Sequence, residues 1–463
     1  MSSLPRLTEG SVGLRLRALA VPMAIGFVAL NSYSIADTYF VGQLGTLPLA
    51  AMSFTFPITF SMISVGLGIG IGTSSLVARL LGMGERKSVQ RITTHALFLG
   101  VIFGLLISII GLATIRPVFE ALGADERTIP FITDYIEIYY LGSIFLILPM
   151  IGNFAIRATG DALVPAIILT LSAVLNIILD PLLIFGLLGF PRLELQGAAI
   201  ATVVANSVTF VAAIFVLSKR EKLILPGFLC FSGLWDSWKK LLHISVPVTA
   251  TNLLVPVTMG VITALVASFG PGAVAGFGVA SRIESVVFIA IFALQSSVGP
   301  FVGQNYGSGK LNRVQVAVNS SVNFFIFYGL LMTIILFATA RPIATFFDDN
   351  PLVVDVVVAY LRIVPLSYTA FGIMMIAVAV FNSLARPMPA AVLTFLKFFV
   401  FYLPLAWGLS VLVGISGIFW ANTISHLLFG VISYAWLRQF LKNIEGSVTL
   451  SRQQIDSSRG IFY

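Results

Sequence analysis

LVPAIILTLSAVLNIILDPLLIFGLL, residues 163–188, is the stretch on which the fold turns. It is a near-continuous apolar run whose one ionisable residue is Asp180, and a bilayer core about 30 Å thick is crossed by roughly 20 such residues in a helix. A surface helix of a water-soluble protein would have polar residues on its outer face. The whole chain repeats this character. Of its 463 residues 58% are hydrophobic and only 10% charged, against about a quarter charged in soluble domains. Such a chain cannot cover itself with a water-soluble surface, so its solvent is lipid.

Eleven further runs of this kind lie at 16–41, 49–80, 91–115, 131–156, 196–217, 240–269, 275–304, 314–339, 354–383, 388–413 and 416–439. The expected fold is therefore an all-α integral membrane protein with twelve transmembrane helices. The first run follows Arg6, Arg15 and Arg17 without a small-residue cleavage site, which reads as an uncleaved first helix. Most of the 27 Lys and Arg fall in the ends and the even-numbered connections, including Arg79, Arg86, Lys87, Lys219, Arg220, Lys239, Lys240, Lys310 and Arg313. Basic loops mark the cytoplasmic side, so both termini are expected inside a multi-pass cytoplasmic (inner) membrane protein. The net charge of +8 is explained by these loops, and no nucleic-acid partner is expected.

The two halves superpose at an offset of 225 residues: Pro22 on Pro247, Gly45 on Gly270, Ala50 on Ala275, Gly82 and Gly84 on Gly307 and Gly309, Arg116-Pro117 on Arg341-Pro342. Six spans separate equivalent points, so both halves share one orientation and the repeat is parallel. Two pseudo-symmetric six-helix bundles about a cleft are expected. They comprise an N-terminal lobe at 1–217 and a C-terminal lobe at 240–440, with a cytoplasmic linker at 218–239 and a tail at 441–463.

Ionisable groups inside a span cost about 2.5–3.5 kcal/mol each and mark function or a partner. They are Asp37, Asp180, Arg282, Glu284 and Lys397. Asn176 lies one turn before Asp180 on the same helical face. A helix running to residue 188 puts Asp180 roughly 12 Å below its end, and Pro181 beside it frees a carbonyl. Asp37 shares a face with Tyr33. Arg282 and Glu284, two apart, point in different directions, and Lys397 is assigned to the cleft.

Other patterns read as structure. Gly66, Gly68, Gly70 and Gly72 lie inside a span and serve close helix packing. GQNYGSGK, ending at Lys310, lacks the first glycine of a nucleotide-binding loop. Cys230, the single cysteine, and His95, His243 and His426 have no metal-ligand spacing and are assigned to packing. Asp134 and Glu137 are assigned to the interface, and Asp125, Glu126, Asp348, Asp349 and Asp355 to solvated turns.

ADTYFVGQLG, RATGDALVP, NIILDPLLIFG, GAAIAT and VGQNYGSG, in that order, resemble the multidrug and toxic compound extrusion (MATE) family. The intramembrane pattern resembles its DinF-like branch, with coupling carboxylates in the N-terminal lobe. That resemblance implies a secondary active exporter of small organic, often cationic and lipophilic compounds, and no enzyme. It makes Asp37 and Asp180 the coupling acids, with Asn176 and Thr202 completing a cation or proton site. Tyr33, Tyr135 and Asn153 line the neighbouring cavity, to which Arg282 and Lys397 are added. The coupling ion is H+, or Na+ held by Asn176, Asp180 and Thr202; no cofactor is implied. The expected partners are drugs or xenobiotics and membrane lipids, with the protein a monomer. Carboxylates placed by other branches in the seventh and tenth spans are absent here. A flippase for lipid-linked precursors shares the two-lobed fold but calls for more cationic cleft residues than Arg282 and Lys397. An intramembrane enzyme calls for clustered acids or histidines at a membrane edge.

Overall fold

The computed structural model describes residues 7–225 and 231–459, with side chains to residue 445. Arg6 and Cys230 therefore lie outside the described residues. The N-terminal half contains α1 (Val12–Gly42), α2 (Thr46–Gly82), α3 (Arg86–Ala121), α4 (Ile129–Leu141), α5 (Ser143–Ala158), α6 (Leu163–Phe185) and α7 (Glu194–Phe215). The C-terminal half contains α8 (Leu234–Ala267), α9 (Pro271–Gly307), α10 (Leu311–Phe347), α11 (Pro351–Ile363), α12 (Tyr368–Ser383), α13 (Pro387–Phe395), α14 (Leu403–Val413) and α15 (Ile415–Arg459). Among the described residues eleven spans are long and apolar enough to cross a membrane, and α4 with α5, bent by 49°, makes a twelfth. The predicted span at 131–156 is thus a broken helix, hinged at Gly142.

The repeat is visible in the backbone. α2 and α9 are 37 residues each and start 225 apart. The linking glycines match in conformation: Gly45 (φ 118°, ψ −178°) with Gly270 (φ 102°, ψ 171°). These angles are closed to residues with a Cβ, so the sequence keeps glycine at both joints. The hinge at Gly142 falls on Ser367, the last residue of the 3-10 turn Val364–Ser367 between α11 and α12. One lobe bends sharply where the other tightens a turn.

α6 ends earlier than its apolar run. Gly186 takes a left-handed conformation (φ 71°, ψ 39°) and caps the helix at Phe185. Asp180 is then five residues, about 7.5 Å, from the helix end rather than 12 Å, yet its side chain is 0% exposed. The apolar run continues past the helix into the exposed 3-10 turn Leu187–Gly189, where the backbone leaves the helix. A Cβ at Gly186 would stand 2.8 Å from the backbone nitrogen of Arg192. Gly186→Ala is therefore expected to cost about 1–2 kcal/mol, read as a lower melting midpoint of the purified protein.

The glycines of α2 divide by face. Gly66 and Gly70 meet Met150 and Phe154 of α5, inside the lobe; Gly68 and Gly72 meet Thr249 and Ser245 of α8, in the other lobe. With i and i+4 on one side and i+2 and i+6 on the other, α2 is a two-sided seam. The seam continues toward the basic loops, where Gly82 faces the Gln304 carbonyl, Gly307 faces the Arg79 carbonyl and Ser75 Oγ donates to the Asn382 carbonyl at 2.7 Å. Gln304, fully buried, closes this end: its Nε2 donates to the Ala158 carbonyl at 2.7 Å and its Oε1 accepts from Leu7 N at 3.1 Å. The run GQNYGSGK thus serves the lobe interface.

Candidate functional site

α1, α4, α6 and α7 pack around one polar cluster in the N-terminal lobe. α6 presents Asp180 and Asn176, buried at 0% and 2% exposure, and α7 presents Thr202. The spacing of four residues puts Asn176 and Asp180 on one stripe, and the small residues of GAAIAT let α7 lie close to it. Gly197 shows how close, since a Cβ there would stand 2.6 Å from the Leu183 carbonyl oxygen.

Asn176 is the pivot. With its nitrogen toward Asp180 it donates to Oδ2 at 2.8 Å and accepts at Oδ1 from Thr202 N (3.2 Å) and Oγ1 (3.0 Å). The opposite orientation would set the amide nitrogen against the Thr202 N–H and its oxygen against the carboxyl, so this is the orientation that satisfies both neighbours.

Asp37 of α1 is buried at 4% exposure, with Oδ1 lacking a hydrogen-bond partner. It lies within electrostatic reach of Asp180, Tyr33, Tyr135 and Tyr139. Tyr135 and Tyr139 of α4 stack at 4.8 Å, and the Tyr135 hydroxyl donates to that of Tyr139 at 3.0 Å. Tyr33 and Tyr139 both engage Thr202. The structure thus brings together Asp37, Asp180, Asn176, Thr202, Tyr33 and Tyr135, and adds Tyr139. Its oxygens are hard donors, but the Asn176 carbonyl is occupied by Thr202, so a sodium ion would have to displace that contact. Among the described residues no group of three or more His, Cys, Asp or Glu is placed to hold a metal.

The other predicted cavity residues lie elsewhere. Asn153 of α5 is buried with Oδ1 unpartnered. Arg282 of α9 has an exposed side chain. Lys397 is enclosed at 1% exposure in a π-helical turn, Leu396–Tyr402, with its ammonium over Phe398 (4.5 Å) and Phe371 (5.1 Å). Rather than lining an open cleft, it faces a second polar cluster that sequence reasoning missed. There Glu284 accepts from the Tyr360 hydroxyl at 2.8 Å, its Oε1 is unpartnered, and Tyr368 and Lys397 are within reach of its charge. His426 Nδ1 and Ser367 Oγ are 3.0 Å apart nearby. One signal could have found it: Tyr360 lies 225 residues after Tyr135, so each lobe sets an equivalent tyrosine beside an intramembrane acid.

A buried ammonium within electrostatic reach of a half-buried carboxylate makes the two interdependent. Lys397→Met and Glu284→Gln are each expected to lower the melting midpoint, and the double variant to recover part of the loss. A thermal-melting cycle should give a coupling of about 0.5–3 kcal/mol; strict additivity would refute the pairing.

Away from the membrane interior the acids are structural. Asp125 accepts from Thr128 N and Oγ1 at 2.8 and 2.5 Å, which holds its carboxyl below the usual range. Exposed Arg116 pairs with Glu120 and Glu126 at 2.6 and 2.7 Å. His95 and His426 are buried, as packing residues should be, whereas His243 is exposed. It sits on the first part of α8.

The family profile described as MatE matches residues 22–182 and again 247–408, so its two copies fall on the two lobes. A protein of Shewanella oneidensis named FAD transporter is 38% identical over 428 residues, covering 92% of this chain and 95% of its own. The multidrug export protein MepA of Staphylococcus haemolyticus is 25% identical over 419 residues, covering 90% and 91%. Among solved structures a mutant of the Vibrio cholerae MATE transporter VcmN is 29% identical with a TM-score of 0.88 over 93% of this chain and 97% of its own. An outward-facing multidrug resistance MATE family transporter has a TM-score of 0.89 at 24% identity, over 96% and 99%, a likeness of fold. With a profile matched across both lobes and a relative this similar over nearly its full length, the chain is a transporter, not an enzyme, and belongs to the MATE family.

Proposed function

We propose that the protein is a cation-driven antiporter that exports small organic compounds, with Asp180 and Asp37 as the coupling acids. The observation carrying this reading is the Asn176 amide that ties the Asp180 carboxyl to Thr202 inside one lobe. A proton reaching Asp180 from outside removes a buried charge and weakens the charge-assisted bond from Asn176, which changes how α6 is tied to α7. Release of that proton to the inside restores the bond. Asp37, unpartnered at Oδ1, extends the site to α1, where Pro22 interrupts the helix.

The Lys and Arg of the adjoining loops make the end of the seam that carries Gln304 the cytoplasmic one in this reading. That end is closed by Gln304, Gly82 and Gly307, and export requires this contact to break and re-form. One net charge moving down 100 mV yields about 2.3 kcal/mol, enough for roughly a fifty-fold gradient of a neutral substrate, whereas a monovalent cation exchanged for one proton moves no net charge and draws on the pH difference alone. The membrane is the cytoplasmic one, where such a gradient exists, and the substrate enters from the cytoplasm or inner leaflet.

The substrate reading has two arms. Drugs follow from the MepA relative, named a multidrug export protein, and lipophilic cations are the class the family resemblance implies. A flavin dinucleotide follows from the more similar Shewanella oneidensis protein, and Arg282, an exposed base within a span, suits an anionic phosphate. Inside-out vesicles carrying the protein should accumulate one of the two when acidified internally. Accumulation of FAD but not of a fluorescent cation supports the flavin arm, the reverse supports the drug arm, and accumulation of neither refutes the export reading for both classes.

A further inference from the structure

A cavity of about 470 Å3 opens in the seam between the lobes at the end that carries the basic loops. Its wall consists of Leu76 and Arg79 from α2, Lys239, Lys240 and His243 from α8, and Ala385 from the turn between α12 and α13. Four of these six side chains are bases and none is acidic. They come from both lobes, so the cavity exists only while this end is closed.

The charges are available. Arg79 donates from Nε to the Ser75 carbonyl of its own helix at 3.4 Å, and among the described residues it forms no ion pair. Lys239, Lys240 and His243 have exposed side chains, and Lys239 lies 5.6 Å over the Trp235 ring. Asp236, one turn before Lys240, lies outside the lining. None of these bases is held in an ion pair among the described residues, and the packing of α2 against α8 does not call for them, since Gly68 and Gly72 already make that contact.

Depth narrows the ligand. Arg79 ends one apolar run and Lys240 begins another, which puts both at headgroup level. Trp235 and Phe231 beside them are 62% and 57% exposed, as aromatic residues are at a membrane interface. Basic pockets between helices at this depth suit phosphate headgroups. Arg79 offers a planar fork to two phosphate oxygens, and the lysines add point charges.

We infer that this cavity binds a phosphate-type anion between the lobes, either the headgroup of an anionic phospholipid or a soluble phosphate. Bound there, the anion ties α2 to α8 and holds this end of the seam shut, so it acts as a brake on the opening that transport requires. Binding does not depend on what the protein exports.

The test is thermal melting of the full-length protein in neutral detergent at constant ionic strength, titrated with phosphatidylglycerol, with phosphatidylcholine as control, and with pyrophosphate. Phosphatidylglycerol or pyrophosphate should raise the midpoint saturably, and phosphatidylcholine should not. A rise with phosphatidylglycerol alone identifies a lipid headgroup, and a rise with pyrophosphate as well a soluble phosphate. Lys239→Gln/Lys240→Gln, at exposed positions, and Arg79→Gln should each weaken the apparent affinity at least about tenfold, one 1.4 kcal/mol step. Arg79→Lys should retain more of it than Arg79→Gln. No rise with either probe, or an equal rise in the Lys239→Gln/Lys240→Gln protein, overturns the inference. Neither result bears on gradient-driven export, which is measured separately.

Discussion

Asp180→Asn yields a folded protein that no longer drives export. The substitution keeps shape and can keep one hydrogen bond to Asn176, but it fixes the group in an uncharged form, so no proton can be taken up or released. With the carboxyl 0% exposed and bonded to an amide at 2.8 Å, no water or neighbouring acid substitutes for it directly. Export should fall at least about tenfold, more than the 1.4 kcal/mol that separates one decade, while the melting midpoint stays the same or rises, because a buried charge is gone. Efflux assays in vesicles, with melting on the same preparation, check both. Asp37→Asn should be weaker but not silent, because Asp37 is within reach of the same charge.

Gly307→Val is expected to have a comparable effect by a different route. A Cβ at Gly307 meets the Arg79 carbonyl, and one at Gly82 meets that of Gln304. These are backbone atoms and cannot swing aside, so an added side chain wedges the lobes apart where they seal. Export should drop about tenfold or more, and the seam should open to reagent. In a Cys230→Ser background, a cysteine placed at Ser75, which is 3% exposed and bonded across the seam, should be protected from a membrane-impermeant thiol reagent and become reactive when Gly307→Val is added. Unchanged export with unchanged protection would refute the role given to this contact.

Much of this architecture is legible in the chain because lipid permits few alternatives. Every backbone polar group must be satisfied within its own helix, so apolar length alone located the spans. The offset of 225 then exposed two lobes, and even the hinge at Gly142 has its counterpart at Ser367. What escaped was decided by backbone geometry and by contacts between distant helices. The end of α6 depends on Gly186 turning left-handed, which hydropathy does not register. The bend between α4 and α5 likewise sits at a glycine inside an apolar run.

The candidate site divides in the same way. Asn176 and Asp180 are one turn apart, so their pairing follows from helical spacing alone; Thr202, 26 residues on, was reached only through family resemblance. Glu284 and Tyr360 are 76 residues apart, and comparing only the acids between halves hid them, because Asp37 falls on Ile262 and, with a one-residue gap, Asp180 on Pro404. The tyrosine, not the acid, is what the duplication preserved. Lys397 in a cleft was a reasonable expectation for an intramembrane base, but the π turn rotates it between Phe371 and Phe398.

The central claim is that cation uptake at the N-lobe acids powers export. Purified protein in sealed vesicles, loaded with a transported fluorescent compound or FAD, should be exposed to a pH gradient and a sodium gradient separately, at equal membrane potential. Export driven by the pH gradient and lost in Asp180→Asn is the predicted result. Export that is indifferent to both gradients, or that persists undiminished in Asp180→Asn, would contradict it.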